Sequence, residues 1–452
     1  MQAGETSFVP ADVSDEPEEE EEEEEELEKV KIRFAVFFDG TCNNRNNTEQ
    51  RERAQKKDAP DDEMHRKAKE IYEKYKSDDS YDNDLTNIAK MEKCIDKEDD
   101  YQECFAAYIE GPGTEDDQGD STAGYAFGLG GTGVRSKVKK GLDLVIEKVT
   151  EKVDSADEII ELLTLDVFGF SRGAAGARNF IYEAKFGDEY KSIKSQLVEQ
   201  EYKVKKIEIR FVGLYDTVSS HGIIYCNDVS DLKLTAVRHA KTVIHLAAAD
   251  EHRSNFSLTN INSALNGREI FLPGVHSDVG GSYCDGKPEK HMIYYGPESI
   301  ARRDREDLIR AGWFTEKEIT LTTMEDEDWT DAVVEVDRVE VSSQYSRIPL
   351  HIMAKFAREN KLNIQPLLED DDPINGKTLT DAKKRIDKYI AETDPKKTPK
   401  KKSTAEDWHH DNEQLLHDLR HDYFHFSAKW ELGLTPRMSF WTSTRYRKMY
   451  NG

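Results

Sequence analysis

Short apolar runs recur along the chain, and each closes on small or polar residues. Lys31-Ile32-Arg33-Phe34-Ala35-Val36-Phe37-Phe38 reads as a strand that stops at Asp39-Gly40-Thr41-Cys42-Asn43-Asn44. Ala106 to Ile109 reads as a second, short strand. Ile159 to Phe168 is largely apolar, as a strand covered on both faces should be. Ile207 to Leu214 and Glu269 to Leu272 add two more, ending at Tyr215-Asp216-Thr217 and Pro273-Gly274-Val275-His276. Between them, Val134 to Val153 predicts an amphipathic helix with Val138, Leu142, Val145 and Ile146 on one side. A small-residue helix is predicted from Arg172, and another helix over Leu232 to Asp250. Strands alternating with helices predict an α/β fold with a doubly wound, mostly parallel sheet and right-handed connections. Such sheets gather their chemistry at the carboxyl ends of the strands. Asp39, Ser171, Asp216 and His276 all fall at predicted strand ends.

The remaining segments follow other patterns. Residues 45–104 are polar and helix-prone, and read as an insertion. Residues 300–405 are charged and mixed, and are expected to form an accessory region, with a flexible linker at Asp394 to Lys402. Asn412 to Arg420 returns to a helical pattern. The segment 406–452 is expected to pack on a catalytic domain spanning residues 30–299.

Charge changes the picture at the N-terminus. Residues 1–29 hold fourteen acids and one lysine, with Glu18 to Glu26 unbroken. Like charges at that density repel and bury nothing, so a disordered acidic tail is expected there. The whole chain of 452 residues carries a net charge of −27, which disfavours nucleic acid as a partner. Cys42, Cys94, Cys104, Cys226 and Cys284 show no CxxC spacing, so no zinc knuckle is indicated, and their dispersal suits synthesis in a reducing compartment. No basic start followed by an apolar stretch marks a signal peptide, and no apolar run is long enough to span a bilayer. Synthesis in the cytoplasm without a signal peptide is therefore expected.

Gly169-Phe170-Ser171-Arg172-Gly173 fits G-x-S-x-G. A serine held on a tight strand-to-helix turn projects its oxygen into open space, and small flanking residues let neighbouring backbone pass close by. An apolar strand before it and Ala174-Ala175-Gly176-Ala177 after it supply the context an α/β-hydrolase requires, against the plain alternative of a helix-capping serine. The hydroxyl needs a base, and the base needs an orienting acid, in the chain order Ser, acid, His. Among His221, His239, His245, His252, His276 and His291, only His276 lies on a loop straight after a predicted strand. His239 and His245 fall within the predicted helix. Asp216 is the expected acid because it ends a strand. Its rival Asp278 lies two residues from His276, and reads better as a support that fixes the loop or binds a cation. The expected oxyanion donors are the backbone N–H groups of Arg172, Gly40 and Thr41.

Asp39-Gly40-Thr41 invites comparison with the D-x-D-G-T of aspartate-nucleophile phosphatases, but Phe37 occupies the nucleophile position. Asp39 is then a support for a loop beside the serine. Gly128 to Gly133 lacks the lysine spacing of a phosphate loop and reads as a mobile loop near the site mouth. Phe440, Trp441, Arg445, Tyr446, Arg447, Lys448 and Tyr450 mix rings and cations, which suits either a lipid headgroup layer or packing on the catalytic domain.

The strings FFDGTCNN (37–44), GFSRGAAGAR (169–178), LYDTV (214–218) and LPGVHSDVGGSY (272–283) together resemble the α/β-hydrolase domain family that contains the first class of type VI secretion lipase effectors. LRHDYFHFSA (419–428) resembles its closing element. The resemblance implies an antibacterial phospholipase that cleaves acyl esters of glycerophospholipids with a Ser-Asp-His triad at Ser171, Asp216 and His276, without metal or cofactor. It also implies a membrane phospholipid substrate, loading on a secretion spike protein, delivery towards a target cell periplasm, and neutralisation by an immunity protein. The acidic tail and residues 300–405 lie outside it. A non-catalytic binding module on the same fold, or a soluble esterase of another substrate class, is the competing expectation.

Overall fold

The protein is described from a computed structural model. The description covers residues 27–57, 62–121, 130–219, 228–325, 330–399, 401–410, 413–439 and 444–452. The acidic tail before residue 27, His221, Cys226, Gly128, Leu129, Phe440 and Trp441 lie outside the described residues.

Among the described residues, β1 (Glu28–Phe38), β2 (Glu103–Ile109), β3 (Glu158–Phe170), β4 (Lys203–Tyr215), β5 (Ala240–Ala248) and β7 (Gly267–Leu272) form one sheet in the order β2-β1-β3-β4-β5-β7. Every pairing in it is parallel. The two-residue β6 (Leu258–Thr259) stands apart and is discussed with the site. Successive side chains of a strand leave by opposite faces, and β1 shows what this builds. Ile32, Phe34, Val36 and Phe38 are buried with Val138 and Leu142 of one helix and Ala177 and Phe180 of another. Ala35 and Phe37 are buried on the opposite face with Ile88, Met91, Ile348 and Met353. The molecule is thus a mostly parallel α/β sheet between two helical layers, as an α/β-hydrolase-like fold requires.

The helices in chain order are α1 (Arg45–Gln55), α2 (Glu63–Tyr75), α3 (Asp79–Asp82) and α4 (Asn87–Lys93) within the insertion, then α5 (Val134–Thr150), α6 (Ser171–Lys185) and α7 (Ile193–Val198). After β7 come α8 (His276–Gly280), α9 (Glu298–Arg310), α10 (Arg347–Glu359), α11 (Leu367–Asp371), α12 (Lys377–Glu392) and α13 (Gln414–Asp422). From β1 the chain steps outwards to β2, then returns to lay β3 on the other side of β1. The order reverses there, the kind of switch point beside which open α/β sheets place their chemistry. Asp39 leaves β1, and Ser171 leaves β3, at that point.

The helix expected over Leu232 to Asp250 is not formed. A short 3-10 turn, Leu234–His239, leads directly into β5. The branched run Thr242-Val243-Ile244 packs well on a pleated surface, and pairing with β4 and β7 outweighs the helix preference of the alanines that follow. His245 is therefore a buried strand residue. The strand containing Lys31 starts earlier than expected, since the Glu28 N–H already donates to the Asp157 carbonyl at 2.9 Å.

Residues 300–405 supply part of the main core. Ile348, Leu350 and Met353 of α10 are buried in the same cluster as Phe168 and Phe211 of the sheet. The same region contributes β9 (Ile319–Glu325) and β10 (Thr330–Val341), which join β8 (Lys287–Pro297) in an antiparallel sheet ordered β8-β10-β9. Ala332, Val334 and Val336 are buried at every second position of β10, Glu335, Asp337 and Glu340 face outwards, and Arg338 is buried against Glu289.

Candidate active site

Ser171 opens α6 directly after β3, with φ at +58°. That left-handed conformation is costly for a residue with a side chain and persists only where its surroundings impose it. Close backbone passage does so here. A Cβ added at Gly173 would sit 2.1 Å from the Asp39 carbonyl oxygen and 2.5 Å from that of Phe38. One added at Gly169 would sit 2.6 Å from Ala174 Cα. Both glycines of the G-x-S-x-G string are thus set by contact, because the first turn of α6 lies against the end of β1 and against its own strand.

Asp216 follows β4 with φ at +43° and is fully buried. Its Oδ2 accepts from His276 Nδ1 at 2.5 Å, and its Oδ1 accepts from the Ala248 N–H at 2.8 Å. Arg447 grips both oxygens, Nη1 to Oδ1 at 2.7 Å and Nη2 to Oδ2 at 2.8 Å. Burial opposes ionisation. The Arg447 guanidinium and the His276 bond outweigh it and hold the carboxyl well below the usual carboxylate range.

His276 is the first residue of α8, a short helix where a loop was expected. Its ring lies against Phe170, with centroids 4.6 Å apart, and takes the edge of Phe256 at 5.0 Å. Its backbone N–H donates to Glu251 Oε2 at 3.3 Å. Burial lowers the imidazole below its ordinary value, against the upward pull of Asp216. A neutral ring that donates Nδ1–H to Asp216 keeps Nε2 as an acceptor, which is the form a general base needs. The base form then persists to lower pH than in free imidazole.

The structure joins Asp216 to His276 directly and brings Ser171 to them through Phe170, which precedes the serine and touches the imidazole. Among the described residues the Ser171 hydroxyl makes no hydrogen bond, so the serine-to-imidazole link is not closed in this conformation. Asp278 binds elsewhere. It accepts from the Val275 N–H at 2.9 Å and pairs with His425 Nδ1 at 2.9 Å, fixing the loop that presents His276.

Of the expected oxyanion donors, Gly40 has its N–H engaged in this conformation. The Gly40 N–H donates to Asp39 Oδ1 at 2.7 Å and is engaged inside its own loop. Asp39 also accepts from the Thr86 hydroxyl at 2.8 Å and the Tyr108 hydroxyl at 2.6 Å, and burial, against those bonds, raises it to about 6. Through these bonds Asp39 ties its own loop to Thr86 and Tyr108. Thr41 keeps a buried hydroxyl with no hydrogen-bond partner among the described residues. Arg172 sits in the first turn of α6, where backbone N–H groups point out of the helix end.

Sequence reasoning missed three contributors. Arg447 was read only as part of an aromatic and basic cluster. Glu251 takes the His276 N–H and is itself held by Arg253 at 2.8 Å. His425, within the 419–428 string, braces Asp278. The one available signal was electrostatic: a buried, ionised Asp216 calls for a cation, but nothing local points to residue 447. Among the described residues, no group of three or more His, Cys, Asp or Glu side chains is placed to hold a metal ion, and no helix is long and apolar enough to cross a membrane.

Comparison with known proteins gives this site a setting. Residues 182–302 match a family model described as the type VI secretion phospholipase effector Tle1-like catalytic domain. That stretch contains Asp216 and His276, and Ser171 precedes it. A solved structure of the Tle1 effector bound to the VgrG spike of the type VI secretion system shares the fold, with a TM-score of 0.61, 20% identity and 94% of each chain covered. A crystal structure of an uncharacterized protein from Pseudomonas aeruginosa is more distant, at 17% identity and a TM-score of 0.43, covering 86% of this chain and 53% of its own. A search of curated proteins found no match. The chain therefore carries, over residues 182–302, a match to a Tle1-like phospholipase effector domain, and that stretch includes the LYDTV and LPGVHSDVGGSY strings of the family resemblance.

Proposed function

We propose that this chain, Tle1-like over residues 182–302, is a serine hydrolase of the phospholipase A type that cleaves acyl esters of glycerophospholipids. Ser171 Oγ attacks the ester carbonyl while His276 Nε2 takes its proton. Asp216 holds the other ring nitrogen and stabilises the imidazolium that forms. The N–H groups of Arg172 and Thr41 receive the oxyanion. The alkoxide of the lysophospholipid leaves with the proton from His276, and water, deprotonated by the same imidazole, releases the fatty acid and restores Ser171. The observation that carries this reading is the buried Asp216–His276 bond of 2.5 Å beside a serine held at φ +58°.

The rest follows the resemblance. A spike protein like the one bound by the solved Tle1 effector would carry the enzyme, made in the cytoplasm, into a target cell periplasm, and an immunity protein would protect the producer.

The test is product analysis on vesicles of phosphatidylethanolamine and phosphatidylglycerol. The parent protein is expected to release free fatty acid and lysophospholipid. Ser171→Ala is expected to lose at least about three orders of magnitude in rate while keeping its circular dichroism spectrum. Release of diacylglycerol, or equal rates in both proteins, contradicts the proposal. Absence of turnover in both would favour a binding module on a hydrolase fold.

A further inference from the structure

We infer that Arg447, more than two hundred residues along the chain from Asp216, is a positioning residue of the hydrolytic site, fixing the acid in place and tempering the basicity of His276. The inference rests on the triad reading above. A guanidinium fork that pairs with both oxygens of one carboxylate fixes its plane as well as its charge. Arg447 does this while also donating from Nε to the Phe256 carbonyl at 2.8 Å and from Nη1 to the Ala248 carbonyl at 3.2 Å. One side chain therefore ties the end of β4, the end of β5 and the loop whose Phe256 ring abuts His276.

The backbone carrying Arg447 is anchored to the same place. Met449–Tyr450, the strand β11, pairs in parallel with β6, and the Thr259 N–H of β6 donates to the Thr217 carbonyl at 2.9 Å, one residue past Asp216. Val218 bridges Leu258 beside it. Arg445, two residues earlier, grips Asp304 of α9 through both oxygens and so holds the segment from its other side. Tyr446 between the two arginines is exposed. The alternation leaves the two cations inward.

The two carboxylates that bond His276 each face a guanidinium. Asp216 faces Arg447, and Glu251, which takes the His276 N–H, faces Arg253. Asp278, on the same helix as His276, pairs with His425. Removing the Arg447 charge leaves Asp216 as an unopposed anion against the imidazole. That favours the imidazolium, so the acid limb of the pH–rate profile must move up. A lysine keeps the charge but loses the fork, so the limb should stay while alignment suffers.

The experiment compares the full chain with Arg447→Gln and Arg447→Lys, using kcat and KM on a short-chain ester across pH, fluorophosphonate labelling rates and thermal melting. For Arg447→Gln, kcat is expected to fall about 100-fold with KM little changed. Its acid limb is expected to rise by about one pH unit. Arg447→Lys is expected to hold the parent's limb and recover part of kcat. A folded Arg447→Gln with the parent's kcat and limb overturns the inference. So does a loss of kcat matched by loss of folded protein with the limb unmoved. If Arg447→Gln does not fold, Arg447→Lys decides: reduced kcat on an unmoved limb supports the inference, and the parent's kcat overturns it. Parent protein that labels at Ser171 while both variants behave normally sinks this inference alone. Parent protein that does not label at Ser171 sinks the triad reading beneath it.

Discussion

Asp216→Asn is expected to cut kcat by about four orders of magnitude, the effect of giving a triad histidine an amide in place of its carboxylate. The amide can present its NH2 group to His276 Nδ1, which then turns acceptor and leaves Nε2 protonated, the wrong tautomer for a base. The residual activity should also carry a displaced acid limb. The anion that favoured the imidazolium is gone while Arg253 and Arg447 remain, so His276 loses its proton more easily and the limb moves down. Stability should fall in parallel, because Arg447 is left buried without its anion, and breaking one side of such a pair costs about 3–5 kcal/mol. The double variant Asp216→Asn with Arg447→Gln separates the two effects, recovering stability without recovering rate. A single Asp216→Asn variant within tenfold of the parent at its optimum would remove Asp216 from the mechanism.

Gly173→Ala is expected to destabilise the protein by about 3 kcal/mol or more and to abolish turnover with it. The added Cβ would meet two backbone carbonyl oxygens, of Asp39 at 2.1 Å and Phe38 at 2.5 Å, and backbone cannot rotate aside as a side chain can. Relief requires moving the first turn of α6 away from β1, which shifts Ser171 and the Asp39 loop together. Gly176 on the same helix is the internal comparison. A Cβ there meets only ordinary contacts, Val134 Cγ1 at 3.6 Å being the nearest, so helix propensity decides the sign. Gly176→Ala should be neutral or stabilising by about 1 kcal/mol. Chemical denaturation of both variants checks this. A Gly173→Ala protein as stable as the parent would mean that the close approach of α6 to β1 is not what holds the serine turn.

Much of the fold was legible because the sheet is central. Strands covered on both faces are largely apolar, and β1 and β3 announce themselves that way despite the buried Arg33 and Asp166. β5 did not, because its alanines imitate a helix and its pairing partners lie far along the chain. The core contribution of α10 was hidden among charges that belong to its exposed face and to neighbouring strands. At the site, the sequence pointed to Ser171, Asp216 and His276 because each lies just past a strand, a local feature, and the structure does bring Asp216 and His276 together. The engagement of the Gly40 N–H by the adjacent Asp39 carboxylate has no sequence signature, because a backbone N–H leaves none. Arg447 and Glu251 were invisible for the opposite reason: their partners are set by tertiary packing alone.

The most direct measurement is fluorophosphonate labelling of the native protein followed by peptide mass mapping. A single adduct is expected on the peptide containing Gly169 to Gly173, with the phosphonyl group on Ser171. His276→Ala should label at a small fraction of the parent's rate. An adduct on another residue, or equal labelling in the His276→Ala protein, would contradict a serine made reactive by that imidazole.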